Sequence, residues 1–318
     1  MDQPPSVAPV AALASDLRTA VESVIEGKTE AVDMALVVLL AGGHLLIEDA
    51  PGLGKTMLAR TLAKAVDCSV RRIQFTADLL PSDITGVSIF SPETRAFEFK
   101  PGGVFANIVI GDEINRASPK TQSALLEAME EQRVSVDGVT HQLPRPFMVV
   151  ATQNPIEMQG TYPLPEAQRD RFMACIEMGY PARAAELAML DHHVSADPID
   201  AIGPVSTGEG VLEARSVIKG VYLHPSLKAY VIEILDRTRS DARLLLGASP
   251  RSGLQWARAA KARAAMLGRD YVIPEDIAAL AVPVLAHRLI MANQRSDRRA
   301  TSDVVTDIVS RVPLPRRD

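Results

Sequence analysis

Apolar positions in the first half of the chain follow two alternating rhythms. "HLLIE" (44–48), "RRIQF" (71–75), "NIVIG" (107–111) and "FMVVAT" (147–152) are short aliphatic or β-branched runs bounded by turn residues, the pattern of buried strands. Between them apolar residues recur at helical spacing, as at Ala59, Leu62, Ala63 and Val66. Strands alternating with helices imply a parallel sheet covered by helices, an α/β fold. The longest apolar run, 34–47, is broken by Gly42, Gly43 and His44. It reads as the end of a helix, a turn and a buried strand, and it is too short for a membrane span. Beyond Pro204 the strand rhythm fades into patterns such as "LQWARAAKARAAML", which predict helices. The expected organisation is a first domain over 1–200 and an all-helical second domain over 201–318. The stretch "SADPIDAIGPVSTGEG" (195–210) is expected to link them.

Two segments interrupt the first domain with period-two patterns. "VSIF" and "AFEFK" flank "SPETR", which predicts a hairpin near 87–100. "VSV-DG-VTHQL" predicts a second near 134–143, with Asp137 and Gly138 suited to a two-residue turn.

Composition narrows the function. The 318 residues are 47% hydrophobic and 23% charged, with a net charge of −5, an ordinary globular balance. The acidic balance argues against a nucleic-acid binder, which carries a basic footprint. Cys68 and Cys175 are the only cysteines, too few for a disulfide framework or zinc site. The Pro- and Ala-rich amino terminus has no basic residues before Arg18 and does not read as a signal peptide. A cytoplasmic protein is expected.

The chemistry starts at "EDAPGLGKT" (48–56). Gly54, Lys55 and Thr56 fit the end of a phosphate-binding loop, although Asp49 holds the position of its usual leading glycine. Such a loop turns successive backbone N–H groups towards an anion at a helix start. Asp49, Ala50, Pro51, Gly52, Leu53, Gly54, Lys55, Thr56 and Met57 are therefore the candidate ATP-binding residues. Lys55 faces the β- and γ-phosphates and Thr56 offers a hydroxyl to Mg²⁺. A carboxylate aimed at phosphate would repel it, so Asp49 is expected to point outward or to accept a local backbone N–H.

"NIVIGDEINRA" is an apolar strand ending in Asp112 and Glu113. Asp112 is assigned to the metal and Glu113 to the base that polarises water. Asn154, at the end of "VVATQNP", is placed to hold the lytic water or the γ-phosphate. In "LPEAQRDRF", Arg169 and Arg171 follow a short helix expected to begin at Pro165. Arg171 is the candidate that reaches a neighbouring subunit's phosphate; a solvated cation at a helix end is the competing reading. In "GASPRSG", Ser249 is a good N-cap and Pro250 a good first helical residue. Arg251 then opposes the helix dipole in the first turn, and a phosphate is expected to compensate it in preference to a carboxylate. His192 and His193 are adjacent and so cannot share a helix face, which speaks against a metal pair. Arg295, Arg298 and Arg299 are expected on a solvated helix face, diluted by Asp297 and Asp303.

Together these segments resemble the MoxR family of AAA+ ATPases. The resemblance runs over roughly residues 15–290 and is carried by "RIQFTADLLPSDITG", "GDEINRASPKTQSALLEAMEE", "ATQNPIEMQGTYPLPEAQRDRF" and "GASPR". It implies a P-loop core with a helical lid, with Lys55 and Thr56 in Walker A and Asp112 and Glu113 in Walker B. Asn154 becomes sensor 1, Arg171 the arginine finger and Arg251 sensor 2. The hairpins resemble the helix-2 and pre-sensor-1 inserts. The resemblance further implies ring oligomers, commonly hexamers, and chaperone-like work on a protein client beside a von Willebrand factor A domain partner. Two other readings compete: a nucleic-acid motor, opposed by a hairpin tip "VDGVT" without Lys or Arg, and a nucleotide-switched binding module, opposed by Glu113 and Asn154.

Overall fold

The computed structural model describes residues 6–50, 52–154, 161–180, 183, 198–292 and 298–315. His192, His193, Arg295 and Pro51 lie outside them.

Two helices come first. α1 (Ala8–Glu22) buries one stripe, Val10, Ala14, Leu17 and Val21. α2 (Thr29–Ala41) is buried almost all round, as expected of a helix that is apolar on every face. It ends where Gly42 takes a left-handed conformation, and β1 (Leu45–Glu48) follows. The expected helix, turn and strand are all present in that run.

β1 belongs to a five-stranded sheet with β2 (Val70–Gln74), β5 (Ile108–Asp112), β8 (Met148–Gln153) and β9 (Ala174–Ile176), in the order β2-β5-β8-β1-β9. Every pairing is parallel. Four of these strands were expected; β9, only three residues long, was not. Alternate residues point to opposite faces. Leu45, Ile47, Ile108, Ile110, Met148 and Val150 join one core cluster with α1, α2 and the lid helices. Leu46, Val109, Val149, Ala151 and Cys175 join a second, with α5 (Pro119–Glu131). Burial on both faces is why these strands read as continuous apolar runs.

α3 (Lys55–Ala65) follows β1, and the short α4 (Pro81–Thr85) precedes the first hairpin. Both hairpins form where expected. β3 (Val87–Ser91) pairs with β4 (Ala96–Lys100), and β6 (Arg133–Val136) with β7 (Val139–Gln142). Asp137 and Gly138 both have positive φ, 50° and 80°, the two-residue turn that matches strand twist.

α6 (Glu166–Arg169) leads to β9. The second half is α7 (Gly208–Lys219), α8 (Pro225–Ser240), α9 (Pro250–Met266), α10 (Pro274–Leu285) and α11 (Arg298–Arg311). Among the described residues it departs from all-helical in two details: β10 (Leu244–Leu246) and β11 (Ile290–Met291) form a short antiparallel pair, and an isolated bridge joins Tyr222 and Tyr271. The expected linker is shorter too, because a 3₁₀ turn covers Pro198–Ala201 and α7 already begins at Gly208. Trp256 on α9 is fully buried and donates to the Ile277 carbonyl at 3.0 Å.

Candidate functional site

In an open parallel sheet, ligands bind beyond the carboxyl ends of the strands. The register aligns Glu48 with Gln153, and Gln74 with Asp112, so the candidate residues at these strand ends share one edge.

The loop leaves β1 at Glu48 and enters α3 at Lys55. Gly52 and Gly54 have φ of 85° and 81°, conformations that side chains other than glycine's resist. No atom lies within 4 Å of where a Cβ on Gly52 would stand, which leaves an open cradle for phosphate. The Asp49 carboxylate turns away from it. One oxygen accepts the Ala50 N–H at 2.8 Å, as expected, and the other accepts the N–H groups of Met178 and Gly179 at 2.8 and 2.6 Å. The aspartate thus ties the loop to the segment after β9, a link that a glycine cannot make. Lys55 Nζ donates to the carbonyls of Asp49 and Ala50, at 2.5 and 3.1 Å. Burial pulls its ammonium below the ordinary value, opposed by Asp49, Asp112 and Glu113.

Asp112, buried at the end of β5, accepts from Thr56 Oγ1 at 3.2–3.3 Å. That contact joins the two oxygen donors expected to share Mg²⁺, and an oxygen-lined site suits this hard cation. Four neighbours were missed in the sequence. Thr152 donates to Asp112 at 3.1 Å and accepts the Glu113 N–H at 3.0 Å. Arg72 donates to Asp112 at 2.5 Å. Gln74 donates to Glu113 at 2.9 Å, where Arg116 also pairs at 3.1 Å. The adjacency of β2 and β5 brings Arg72 and Gln74 here, and only the strand order reveals it. Glu113 itself sits at φ 56°, an uncommon conformation for a residue with a side chain. Such backbone persists where its surroundings hold it, often at functional sites. Asn154 follows β8, the strand between β5 and β1.

Arg171 and Arg251 lie elsewhere. Both pair with the Glu130 carboxylate near the end of α5, Arg171 at 3.2 Å. In this chain the Glu130 carboxylate compensates Arg251; Ser249 caps its helix as expected. This cluster is at the amino edge of the sheet. Met173, two residues past Arg171, donates to the His44 carbonyl at 2.8 Å, just ahead of β1. The His44 ring accepts the Val149 N–H and contacts the carbonyl of Met129, next to Glu130, at 3.1 Å. The phosphate loop leaves the opposite end of β1, ~13 Å of strand away.

Arg298 also departs from expectation. Instead of lying on a solvated face, it pairs with Glu48 at 3.0 Å and Glu177 at 3.1 Å, and donates to the Cys175 carbonyl at 2.7 Å. The first turn of α11 is thereby pinned to the carboxyl ends of β1 and β9. Among the described residues no cluster of His, Cys, Asp or Glu forms a metal site by itself. Cys68 and Cys175 are both free thiols. No helix among them is long and apolar enough to cross a membrane.

Comparison with known proteins agrees with this geometry. Residues 44–174 match the ATPase family associated with various cellular activities, and residues 236–308 match the AAA lid domain. YeaC of Bacillus subtilis is 47% identical over 93% of this chain and 92% of its own. Chaperone MoxR1 of Mycobacterium tuberculosis is 40% identical over 93% of this chain and 81% of its own. A crystal structure from Cytophaga hutchinsonii superposes with a TM-score of 0.88 at 38% identity, covering 96% of both chains. With both domains matched in order and this identity sustained along the chain, the protein belongs to the MoxR family of AAA+ ATPases.

Proposed function

We propose that the chain hydrolyses ATP with Mg²⁺ in a ring and uses the energy to remodel a protein client. One observation carries the catalytic reading: the Thr56 hydroxyl and the Asp112 carboxylate meet at 3.2 Å, with Glu113 the next residue. The loop amides of 49–56 and Lys55 bind the phosphates. Thr56 and Asp112 would hold Mg²⁺, which when bound would supply charge neutralisation at the β- and γ-oxygens. Glu113 accepts a proton from water as that water attacks the γ-phosphorus; the bond to the β-bridging oxygen breaks, leaving ADP and inorganic phosphate. Asn154 orients the water. Gln74 and Arg116 hold Glu113 until the nucleotide enters.

Arg171 and Arg251 serve the neighbouring subunit's phosphates. Their shared carboxylate at the amino edge supports this reading, because neither is near its own loop. The chaperone named among the relatives supports a protein client, and family resemblance supports a hexamer, a von Willebrand factor A domain partner and a cytoplasmic location. The test is phosphate release by the purified full chain with and without Mg²⁺, followed by capture of bound proteins on Glu113→Gln in ATP. Turnover that needs Mg²⁺ and a captured protein client support the proposal. Absence of turnover, or capture of nuclease-sensitive nucleic acid alone, contradicts it.

A further inference from the structure

A second cavity, of about 340 Å³, opens at the amino edge of the sheet. It lies between the end of α2, the start of β8 and the helices α7 and α9. Arg145, Arg215, Lys219, Arg258 and Lys261 line it, and no carboxylate does among the described residues. Its floor is apolar, including the buried Phe147 and Ile218. The volume falls in the range of small-ligand pockets.

Part of this charge has an internal explanation. Arg215 donates twice to the Leu39 carbonyl, at 2.9 and 2.7 Å, and Arg258 donates to the carbonyls of Ala41 and Gly42, at 2.6 and 2.8 Å. These contacts satisfy the open carbonyls at the α2 terminus, where the helix dipole favours cations. Gly42 permits both approaches, since a Cβ there would meet Arg258 at 3.3 Å. The other three cations are not explained this way. Among the described residues, Lys261 donates only to the Lys219 carbonyl at 3.0 Å. The Arg145 and Lys219 side chains have no hydrogen bond or ion pair among the described residues. Carbonyl dipoles leave the net charge of the cavity in place; Arg145, Lys219 and Arg258 are exposed, and the half-buried Arg215 and Lys261 bear most of the desolvation cost. That cost is visible in Arg215. Burial, with repulsion from Arg258, pulls its guanidinium down to about 10. Partial desolvation lowers Arg258 and Lys261 as well, with Lys228 adding to the latter.

We propose that this cavity is a second anion site, distinct from the phosphate loop, that takes a compact phosphate-bearing anion: a free polyphosphate or the phosphate tail of a nucleotide. A single carboxylate neutralises one of the three uncompensated cations. A triphosphate group carries enough charge for all three, and the planar fork of Arg145 matches its oxygens. The site stands on the opposite edge of the sheet from the same chain's phosphate loop.

The test uses the full chain carrying Lys55→Ala, which disables the loop. Inorganic tripolyphosphate is titrated by calorimetry in Mg²⁺-free buffer at physiological salt. Saturable binding is expected, weakened at least tenfold when Arg145→Gln, Lys219→Gln and Lys261→Gln are added. These three leave the α2 contacts of Arg215 and Arg258 intact, and an unchanged melting temperature verifies the fold. ADP titrated into the same proteins separates the sources. ADP binding that the added substitutions abolish points to a nucleotide; tripolyphosphate binding alone points to free polyphosphate. No saturable binding of either, or binding indifferent to the three substitutions, overturns the proposal and leaves the cluster as a cap on α2.

Discussion

The two edges of the central sheet are built differently. At the carboxyl edge, the loop and the two carboxylates proposed for metal and base are linked within one chain: Lys55 on the loop carbonyls, Thr56 on Asp112, and Thr152 bridging Asp112 and the Glu113 amide. At the amino edge, Arg171 and Arg251 converge on one carboxylate, Glu130. The first edge holds what is needed to bind nucleotide. The second holds the two arginines proposed above to serve a neighbouring subunit. On the function proposed above, one chain would suffice to bind ATP and hydrolysis would require assembly.

The largest effect is expected at the carboxyl edge. Glu113→Gln removes the proton acceptor and should lower turnover by ~10²–10⁴-fold, measured by phosphate release, while nucleotide affinity by calorimetry stays within a few-fold. Arg171→Ala should cost ~10³-fold or more in turnover with ATP binding again intact. Equal loss of affinity in either variant would mean that the two edges are not functionally separate.

A third expectation concerns the residue that joins the amino edge to β1. His44 is buried, its pKa lowered to about 4 by that burial, with smaller contributions from Arg215 and Arg258. Its unfolded form titrates at about 6.5. Between those values the unfolded chain binds more protons, so stability rises with pH and is lost on acidification. The loss should approach ~3 kcal/mol by pH 4, and the buried His287, also lowered by its burial, acts in the same direction. Urea midpoints for the wild type and His44→Gln over pH 7–4 check this; His44→Gln should flatten the slope. A wild-type midpoint that does not fall over this range contradicts a neutral, buried His44.

The smallest effect belongs to the shared carboxylate. Glu130→Gln breaks two partly exposed ion pairs, worth under about 1 kcal/mol each. The melting temperature should move little. Turnover should change by less than tenfold, since the arginines remain. A collapse in turnover would make Glu130 part of the chemistry.

The difference between the edges also governs what could be read from the chain. The carboxyl edge is written in contiguous motifs, each at the end of an apolar strand, so Lys55, Thr56, Asp112, Glu113 and Asn154 could be named before the fold was known. Even there, the partners of Asp49 at Met178 and Gly179 depended on β9, whose three residues carry no period to detect. Arg72 and Gln74 are consecutive outward positions of β2, and only the β2-β5 adjacency turns them towards the carboxylates. At the amino edge the signal is weaker. Glu130 looks like any acid on an amphipathic helix, and Arg251 is far from it in sequence. The helix-start rule correctly demanded a compensating anion for Arg251 but could not choose between phosphate and carboxylate. Arg298 shows the same limit: a charged helix start reads as solvated until its packing against Glu48 is seen.

Subunit mixing tests the division of labour most directly. Lys55→Ala leaves the arginines intact but disables the loop; Arg171→Ala does the reverse. Each alone should be inactive in phosphate release. Mixed in equal amounts and allowed to assemble, they should recover about a quarter of wild-type turnover, since random neighbours then restore that share of complete sites in a closed ring. A mixture no more active than its two components would place Arg171 in its own subunit's site, and the separation of the two edges would be wrong.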